Sequence, residues 1–274
     1  MTAIGPGKTA VITGGAAGIG LATAHRFAAL GMNIAIADLG QDRLDAAAAS
    51  MPGVQVLTGA VDVSDPAALQ GFAAAVTARF GGTDVLMCNA GIQGGSTVLD
   101  PAGWQRVMQV NLWGIIQTCQ AFVPGMIARG QPGLVINTGS KQGITTPPGD
   151  PAYNLAKAGV KVFTEALEHD LRGRPGARIS AHLLIPGFVW TDLTRGTGVE
   201  KPAAAWTADQ TAGFMLDSLA RGDFYILCPD NDVPRALDEK RIRWAADDII
   251  RNRPPLSRWH PDHAQAFSDF VIDP

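Results

Sequence analysis

The chain has 274 residues, 46% of them apolar and 17% charged, enough to bury a full core as one α/β domain of ordinary size. A formal net charge of -3 and a pI near 5.9 leave no global positive field for nucleic acid or an anionic membrane surface, so the expected partners are small molecules and copies of itself. Cys88, Cys119 and Cys228 stand singly in apolar runs, without C-x-x-C or Cys/His ligand spacing, which argues against a disulfide framework and against a metal site.

The amino terminus runs from Met1 into an apolar segment without a basic stretch and cleavage site, and no apolar run is long enough to span a bilayer. A cytoplasmic protein is the expectation. Residues 8–13 form a short apolar strand that breaks into Gly14-Gly15-Ala16-Ala17-Gly18-Ile19-Gly20 before a helical pattern to residue 30. Strand, glycine loop and helix in that order suit a phosphate cradle. The glycines let the backbone approach a pyrophosphate, and the free N–H groups and positive helix end attract its charge. A second strand, 33–38, ends in Asp38, 24 residues beyond Gly14, where a dinucleotide fold places the acid that binds the adenosine ribose. Asp38 would repel a 2′-phosphate, and neither Ala17 nor Leu39 supplies a cation to offset it, so NAD is favoured over NADP.

The pattern then alternates: helix 41–50, strand 54–61, helix 66–80, strand 84–88 and a long helix 101–129. Strands separated by helices of this length imply a parallel sheet covered on both faces. Asp62-Val63 and Asn89-Ala90-Gly91 follow the third and fourth strands, at the carboxyl edge where open α/β sheets bind ligands. Strand 134–138 delivers Gly139-Ser140, and a loop to Pro151 leads into a helix over 152–171.

Tyr153 and Lys157 lie four residues apart on that helix, one turn apart on one face, and Ser140 precedes Tyr153 by 13 residues. A phenol that trades protons near neutral pH needs its pKa of about 10 lowered, and a fixed neighbouring cation does this by favouring the phenolate. The pair is a candidate acid/base. Val160, Thr164 and Leu167 continue its face, while Ala152, Ala156, Gly159 and Phe163 form a second, small-residue face suited to close helix packing.

Strand 179–185 ends in Pro186-Gly187-Phe188-Val189-Trp190-Thr191, again at the ligand edge. The segment 190–217 reads as irregular, with Gly196, Gly198 and Pro202, and is the candidate for a lid over the substrate. Phe188, Trp190, Trp206, Phe214 and Met215 suggest a bulky apolar substrate. Gln93, Ser140, Gln142, Tyr153, Phe188 and Trp190 are the expected substrate contacts.

The tail reads as a charged helix over 233–251 whose apolar stripe is Ile242, Ala245, Ala246, Ile249 and Ile250. Its basic residues alternate with acids, which describes a solvated face rather than a nucleic-acid patch. Pro254-Pro255 stops the helix, and Trp259, His260, His263, Phe267 and Phe270 follow. The two histidines lack a third ligand, so no metal is expected. The tail is expected to close over the substrate cleft or clasp a neighbouring subunit.

In order along residues 8–230, these features resemble the short-chain dehydrogenase/reductase family. The resemblance is carried by Thr13, Gly14, Gly18 and Gly20, by Asn89-Ala90-Gly91, by a helical Asn111, by Ser140, Tyr153 and Lys157, and by Pro186, Gly187 and Thr191. It implies a Rossmann-like doubly wound parallel α/β sheet of about seven strands in one NAD-binding domain, 1–274, with the lid at 190–217 and a helical extension at 231–274. It also implies an NAD-dependent oxidoreductase interconverting a secondary alcohol and a ketone, working as a homotetramer or homodimer, and makes the bulky apolar substrate an aryl, steroid or alicyclic alcohol. Tyr153 would be the acid/base, Lys157 would lower its pKa and bind the nicotinamide ribose, and Ser140 would hold the substrate oxygen. Asn111 would interrupt the helix and keep a water that connects Lys157 to solvent. The cofactor contacts implied are Gly14, Ala17, Gly18, Ile19, Gly20, Asp38, Leu39, Asp62, Val63, Asn89, Ala90, Gly91, Tyr153, Lys157, Pro186, Gly187, Val189 and Thr191. A sugar-nucleotide epimerase would share Tyr-x-x-x-Lys but carry another glycine spacing, and a non-catalytic NAD-sensing module would be expected to lose the tyrosine or lysine. The chain departs from the family after Asp223, where the expected Asp-Gly-Gly is missing and more than forty residues follow.

Overall fold

The computed structural model describes residues 3–196 and 198–272, so Thr197 of the expected lid and residues 1–2 and 273–274 of the expected domain lie outside the described residues. The inner strands of the sheet are short and buried on both sides, and their side chains divide between two cores by simple alternation. In β1 (Thr9–Thr13), Val11 enters one core while Ala10 and Ile12 enter the other; in β4 (Val85–Cys88), Leu86 and Cys88 part from Val85 and Met87 in the same way. The first core is closed by α3 (Pro66–Phe80), α5 (Gly114–Arg129) and α7 (Pro151–Gly173), the second by α1 (Gly18–Ala29), α2 (Gln41–Ala49) and α8 (Ala208–Arg221).

With β2 (Asn33–Asp38), β3 (Val56–Ala60), β5 (Gly133–Thr138), β6 (Ile179–Ile185) and β9 (Tyr225–Leu227), these strands make a seven-stranded sheet. Its order is β3-β2-β1-β4-β5-β6-β9, parallel throughout. The chain starts at β1, winds outward to β3, then crosses back to β4, so the connections leaving β1 and β4 diverge and open a crevice at their carboxyl ends. This is the expected Rossmann-like single domain. The glycine loop and Asn89 both emerge at that crevice.

Three helices begin with Asp-Pro, in which the carboxylate accepts free backbone N–H groups and proline pre-sets the first turn. Asp65 caps α3, Asp100 caps α4 (Pro101–Met108), and Asp150 caps α7 through the N–H of Tyr153. The third cap places Tyr153 in the first turn of its helix.

Three expectations change. The long helix 101–129 is broken by a π-helical turn, Gln109–Trp113, which contains Asn111. The segment expected to be irregular to 217 is so only to 205. There β8 (Trp206–Thr207) pairs with β7 (Val189–Trp190), and Thr207 and Gln210 form a reciprocal cap that starts α8, which buries Met215 and Leu219. The tail helix α9 (Arg235–Ile250) does not bury the expected stripe: Ile249 and Ile250 are 86% and 77% exposed, whereas Trp244 and Asp238 are buried. The larger indole decides the face. Trp244 donates to Ser257 Oγ at 2.9 Å, lies under the Arg253 guanidinium at 3.9 Å and meets Phe267 and Phe270 of α10 (Ala264–Ile272), both at 5.3 Å. The tail thus has a small core of its own, and α9 rests against α6 (Gln142–Thr145).

Candidate active site

The crevice is a cleft of about 430 Å³ running from Asp38 past the glycine loop to Ser140, Tyr153 and Lys157. Its floor needs glycine. At Gly14, φ is +63° and a Cβ would fall 2.7 Å from Ala90 Cα, while at Gly20 a Cβ would fall 2.2 Å from the Gly14 carbonyl oxygen. Asn89 ties the two sides together by donating from Nδ2 to that same oxygen at 3.1 Å, with its backbone N–H on Thr13 Oγ1 at 3.1 Å. Ala17 leaves the start of α1 without a side-chain cap, so its free N–H groups face the cleft. A cradle closed to any Cβ and lined by uncapped amide donors fits a dinucleotide pyrophosphate. Every residue expected to contact the cofactor lines this cleft except Gly20, which lies behind the loop and permits its shape.

At the outer end of the cleft, Asp38 accepts from the backbone N–H of Ala16 at 3.1 Å and of Leu39 at 2.8 Å. Arg43, one turn into α2, brings a guanidinium nitrogen to 3.6 Å from Asp38 Oδ1 and also lines the cleft. Arg43 lies outside positions 17 and 39, where a cation was sought; its signal was a basic residue in the first turn of α2, five residues after the acid.

At the inner end, burial governs the chemistry. Tyr153 and Lys157 are 8% and 4% exposed. The Tyr153 phenol is pushed up to about 12, chiefly by burial, with the Ser140 hydroxyl pulling back through a hydrogen bond and Asp150 pushing further. Burial alone pushes the Lys157 ammonium down to about 8. The expected lowering of the phenol by Lys157 is therefore not the balance struck by the chain itself. Lys157 Nζ donates to the Thr138 carbonyl at 2.8 Å and lies 5.6 Å from the centre of the Tyr153 ring. Asn111 is fully buried in its π turn and holds the backbone of Ile92 from both sides, accepting from its N–H and donating to its carbonyl oxygen, each at 2.7 Å. The cost of a widened helical turn thus goes into fixing the loop after Gly91.

Asp150 was not among the expected site residues. Besides capping α7 it accepts from Ser96 Oγ at 2.6 Å and from the Gly95 N–H at 3.2 Å, locking the loop after Gly91 to the helix that carries Tyr153. Of the expected substrate contacts, Gln93 and Gln142 edge a second recess beside Asp150, which meets the main cleft at Leu193. Phe188 and Trp190 line neither space among the described residues, and the Trp190 ring instead covers Gly198. The nitrogen of the His260 ring and the other tail ligand candidates form no group of three or more His, Cys, Asp or Glu able to hold a metal, here or elsewhere among the described residues. No helix among them is long and apolar enough to cross a membrane.

Comparison with known proteins agrees with this geometry. A family model described as short chain dehydrogenase matches residues 8–201. The 1-deoxy-11-beta-hydroxypentalenate dehydrogenase of Streptomyces exfoliatus is 33% identical over 260 residues, covering 89% of each chain. Among solved structures, a short chain dehydrogenase/reductase from Burkholderia phymatum in complex with NAD superposes with a TM-score of 0.83 at 28% identity, covering 93% of this chain and 98% of that one. The L-sorbose reductase of Gluconobacter frateurii, complexed with NADPH and L-sorbose, superposes with a TM-score of 0.70 at 30% identity, covering 80% and 91%. Sheet order, glycine cradle and family model together show that the chain belongs to the short-chain dehydrogenase/reductase family of oxidoreductases.

Proposed function

We propose that the protein interconverts a secondary alcohol and a ketone with NAD as its cofactor, Tyr153 moving the hydroxyl proton. The observation that carries this reading is the convergence of Ser140, Tyr153 and Lys157 at the inner end of a dinucleotide-shaped cleft, with both Tyr153 and Lys157 buried there. A bound nicotinamide supplies the hydride acceptor or donor. The chain's residues do the rest. Ser140 Oγ holds the substrate oxygen and Tyr153 gives or takes its proton at the phenol oxygen. A phenol held up to about 12 keeps its proton at neutral pH, which readies it to protonate a carbonyl. Oxidation needs that proton removed, and the buried Lys157 is the group beside it through which proton loss would be relayed. Asn111 fixes the Ile92 backbone at the edge of the cleft.

Asp38 supports NAD over NADP, because its carboxylate stands at the end of the cleft where a 2′-phosphate would lie. Asp38→Ala is expected to raise kcat/KM for NADP about tenfold or more, both by removing repulsion and by releasing Arg43 to pair with the phosphate. In Asp38→Ala/Arg43→Ala most of that gain should vanish. An unchanged NAD to NADP ratio in the single variant would remove Asp38 from the selection.

The case for a bulky apolar alcohol weakens, since three of its five side chains are engaged in packing. Met215 is fully buried, and Trp206 meets Phe214 edge-on at 5.7 Å. The recess beside Asp150, which joins the main cleft at Leu193, instead offers Gln93, Gln142 and Pro147, which suits an alcohol carrying a polar group. The test is a panel of 1-phenylethanol, cyclohexanol, a hydroxysteroid and 2,3-butanediol with NAD at alkaline pH, following NADH absorbance. Turnover of any member supports the reaction class, and the diol having the highest kcat/KM would support the polar recess. No turnover of secondary alcohols or of the matching ketones with NADH would count against the reading. Assembly into a homodimer or homotetramer is supported by exposed Leu155 and Val162, seven residues apart on one face of α7.

A further inference from the structure

We infer that Asp238, on the tail helix α9, is a positioning residue for Ser140, acting through Lys141; the inference rests on the role proposed for Ser140 and Tyr153. Lys141 follows Ser140 directly in the chain. Its ammonium turns away from the cleft and lies 2.6 Å from Asp238 Oδ2 and 3.3 Å from Asp230 Oδ2. The three side chains are 14%, 4% and 6% exposed, so this is a buried cluster and not a surface pair. In such a setting a charge that loses its partner is costly, and the survivors move to find another.

What the cluster holds is the far wall of the active site. Lys141 also donates its backbone N–H to the Pro186 carbonyl at 3.1 Å, and Asp230 Oδ2 accepts from the Phe188 N–H at 3.3 Å. Gly187 lies so close that a Cβ there would fall 2.5 Å from Asp230 Oδ2 and 2.9 Å from Lys141 Nζ. The Ser140 loop, the Pro186–Phe188 turn and the tail helix therefore meet at one ammonium group. From there the path to the chemistry is short: Ser140 Oγ accepts from the Gln142 N–H at 3.1 Å and lines the cleft with the Tyr153 phenol, whose proton affinity its hydroxyl lowers. Gly143 is pressed on the other side against the Lys157 backbone, where a Cβ would fall 2.5 Å from the carbonyl carbon. The loop cannot tilt without moving Ser140 relative to Tyr153.

Asp230 and Asp238 both lie beyond residue 201, where the family model ends, and Asp238 alone sits on the tail helix. Arg241 and Arg258 also face Asp238, so three cations surround two carboxylates and the cluster keeps a positive balance. Losing the Asp238 charge leaves Lys141 with Asp230 alone and two arginines nearby. The ammonium then shifts toward Asp230 and takes the Ser140–Lys141 backbone with it.

The chain contains two tyrosines, and Tyr225 is half exposed on the outer strand β9, bonded to Glu165. A Tyr225→Phe protein labelled with 13Cζ-tyrosine therefore shows one resonance, that of Tyr153, and reports the Ser140 bond without any substrate. Ser140→Ala in this background sets the size and sense of the change when that bond is lost. Asp238→Asn is expected to move the resonance in the same sense and to lower kcat on the most active alcohol of the panel about 10- to 100-fold. KM for NAD and the NADH dissociation constant should stay within about twofold of the parent, since the adenosine end is untouched. Asp238→Glu should restore part of both changes. If Asp238→Asn does not fold, Lys141→Met/Asp238→Leu removes the ion pair while keeping the tail packed, because apolar groups of similar size replace such pairs at little cost. A Tyr153 resonance unmoved in a folded variant, while Ser140→Ala moves it, would overturn the inference and leave α9 as a tether. A wild-type protein that turns over no alcohol would instead count against the proposed function, and the resonance result would stand apart from it.

Discussion

Tyr153→Phe is expected to reduce kcat/KM for alcohol oxidation and ketone reduction by about 100- to 10,000-fold, the range that general acid/base groups contribute. NADH affinity should remain within about twofold. The substitution removes one oxygen and keeps the ring, so the packing of Tyr153 with Val107, Ala152 and Ala156 is retained and the thermal midpoint should barely move. What goes is the proton at the phenol oxygen. No neighbour can supply it: Ser140 is a poor acid, and Lys157 is turned to the Thr138 carbonyl, 5.6 Å from the ring centre. The pH dependence adds a second readout. With the phenol held up to about 12, the oxidation rate of the parent should climb with pH as the acid/base group becomes easier to deprotonate, whereas reduction uses the protonated form already present at pH 7. The phenylalanine variant should lose that climb. Substantial activity in the variant with the parent's pH profile would take the phenol out of the reaction.

How far such a site can be read from the sequence differs by the range of the interactions. Strand, glycine loop and helix are adjacent in the chain, so β1, the cradle and α1 were legible, as was Asp38 at the end of the next strand. The apolar periodicity likewise placed α3 at 66–80 and β6 at 179–185, where the structure has them. Tyr153 and Lys157 were legible because a helix converts a spacing of four into a shared face. The electrostatic sign at that face was not legible. It depends on how completely water is excluded, and burial overrides the cation that the spacing suggested. Arg43 and Asp150 were missed because each acts through a contact with another segment, on Asp38 and on Ser96 respectively. The tail was misread for the related reason that periodicity counts apolar positions and not their sizes: one Trp244 with Phe267 and Phe270 outweighed a stripe of isoleucine and alanine. The buried Asp238 could not be foreseen without its partner 97 positions earlier, Lys141.

Lys157→Met is expected to abolish most turnover and yet to make the cofactor-free protein more stable near pH 7, two effects of opposite sign from one side chain. The folded chain holds the ammonium down to about 8 against a usual 10.5. Between those values the unfolded chain binds more protons than the folded one, so stability contributed through this group rises as pH rises from 8 toward 10.5 and is at its minimum below 8. At pH 7 the penalty for burying the charge is about 3 kcal/mol, at roughly 1.4 kcal/mol for each unit of displacement. Methionine has a similar length and no charge, so it removes that penalty and loses the hydrogen bond to Thr138, which is worth about 1 kcal/mol. The net gain of about 2 kcal/mol corresponds to a rise of roughly 3–6 °C in thermal midpoint at pH 7. At pH 10 the gain should shrink, because the parent's lysine is by then largely neutral in the fold. Tyr153 works against any alkaline optimum of stability, since a phenol held above its usual 10 destabilises the fold once pH passes 10. Thermal unfolding of the parent and Lys157→Met proteins at pH 7 and pH 10, beside kcat on the same alcohol, checks both halves. A variant that is less stable at pH 7 and retains activity would make Lys157 a packing residue. A variant that gains stability and loses turnover would show that the fold carries this ammonium at a cost, for which the chemistry at Tyr153 is the return.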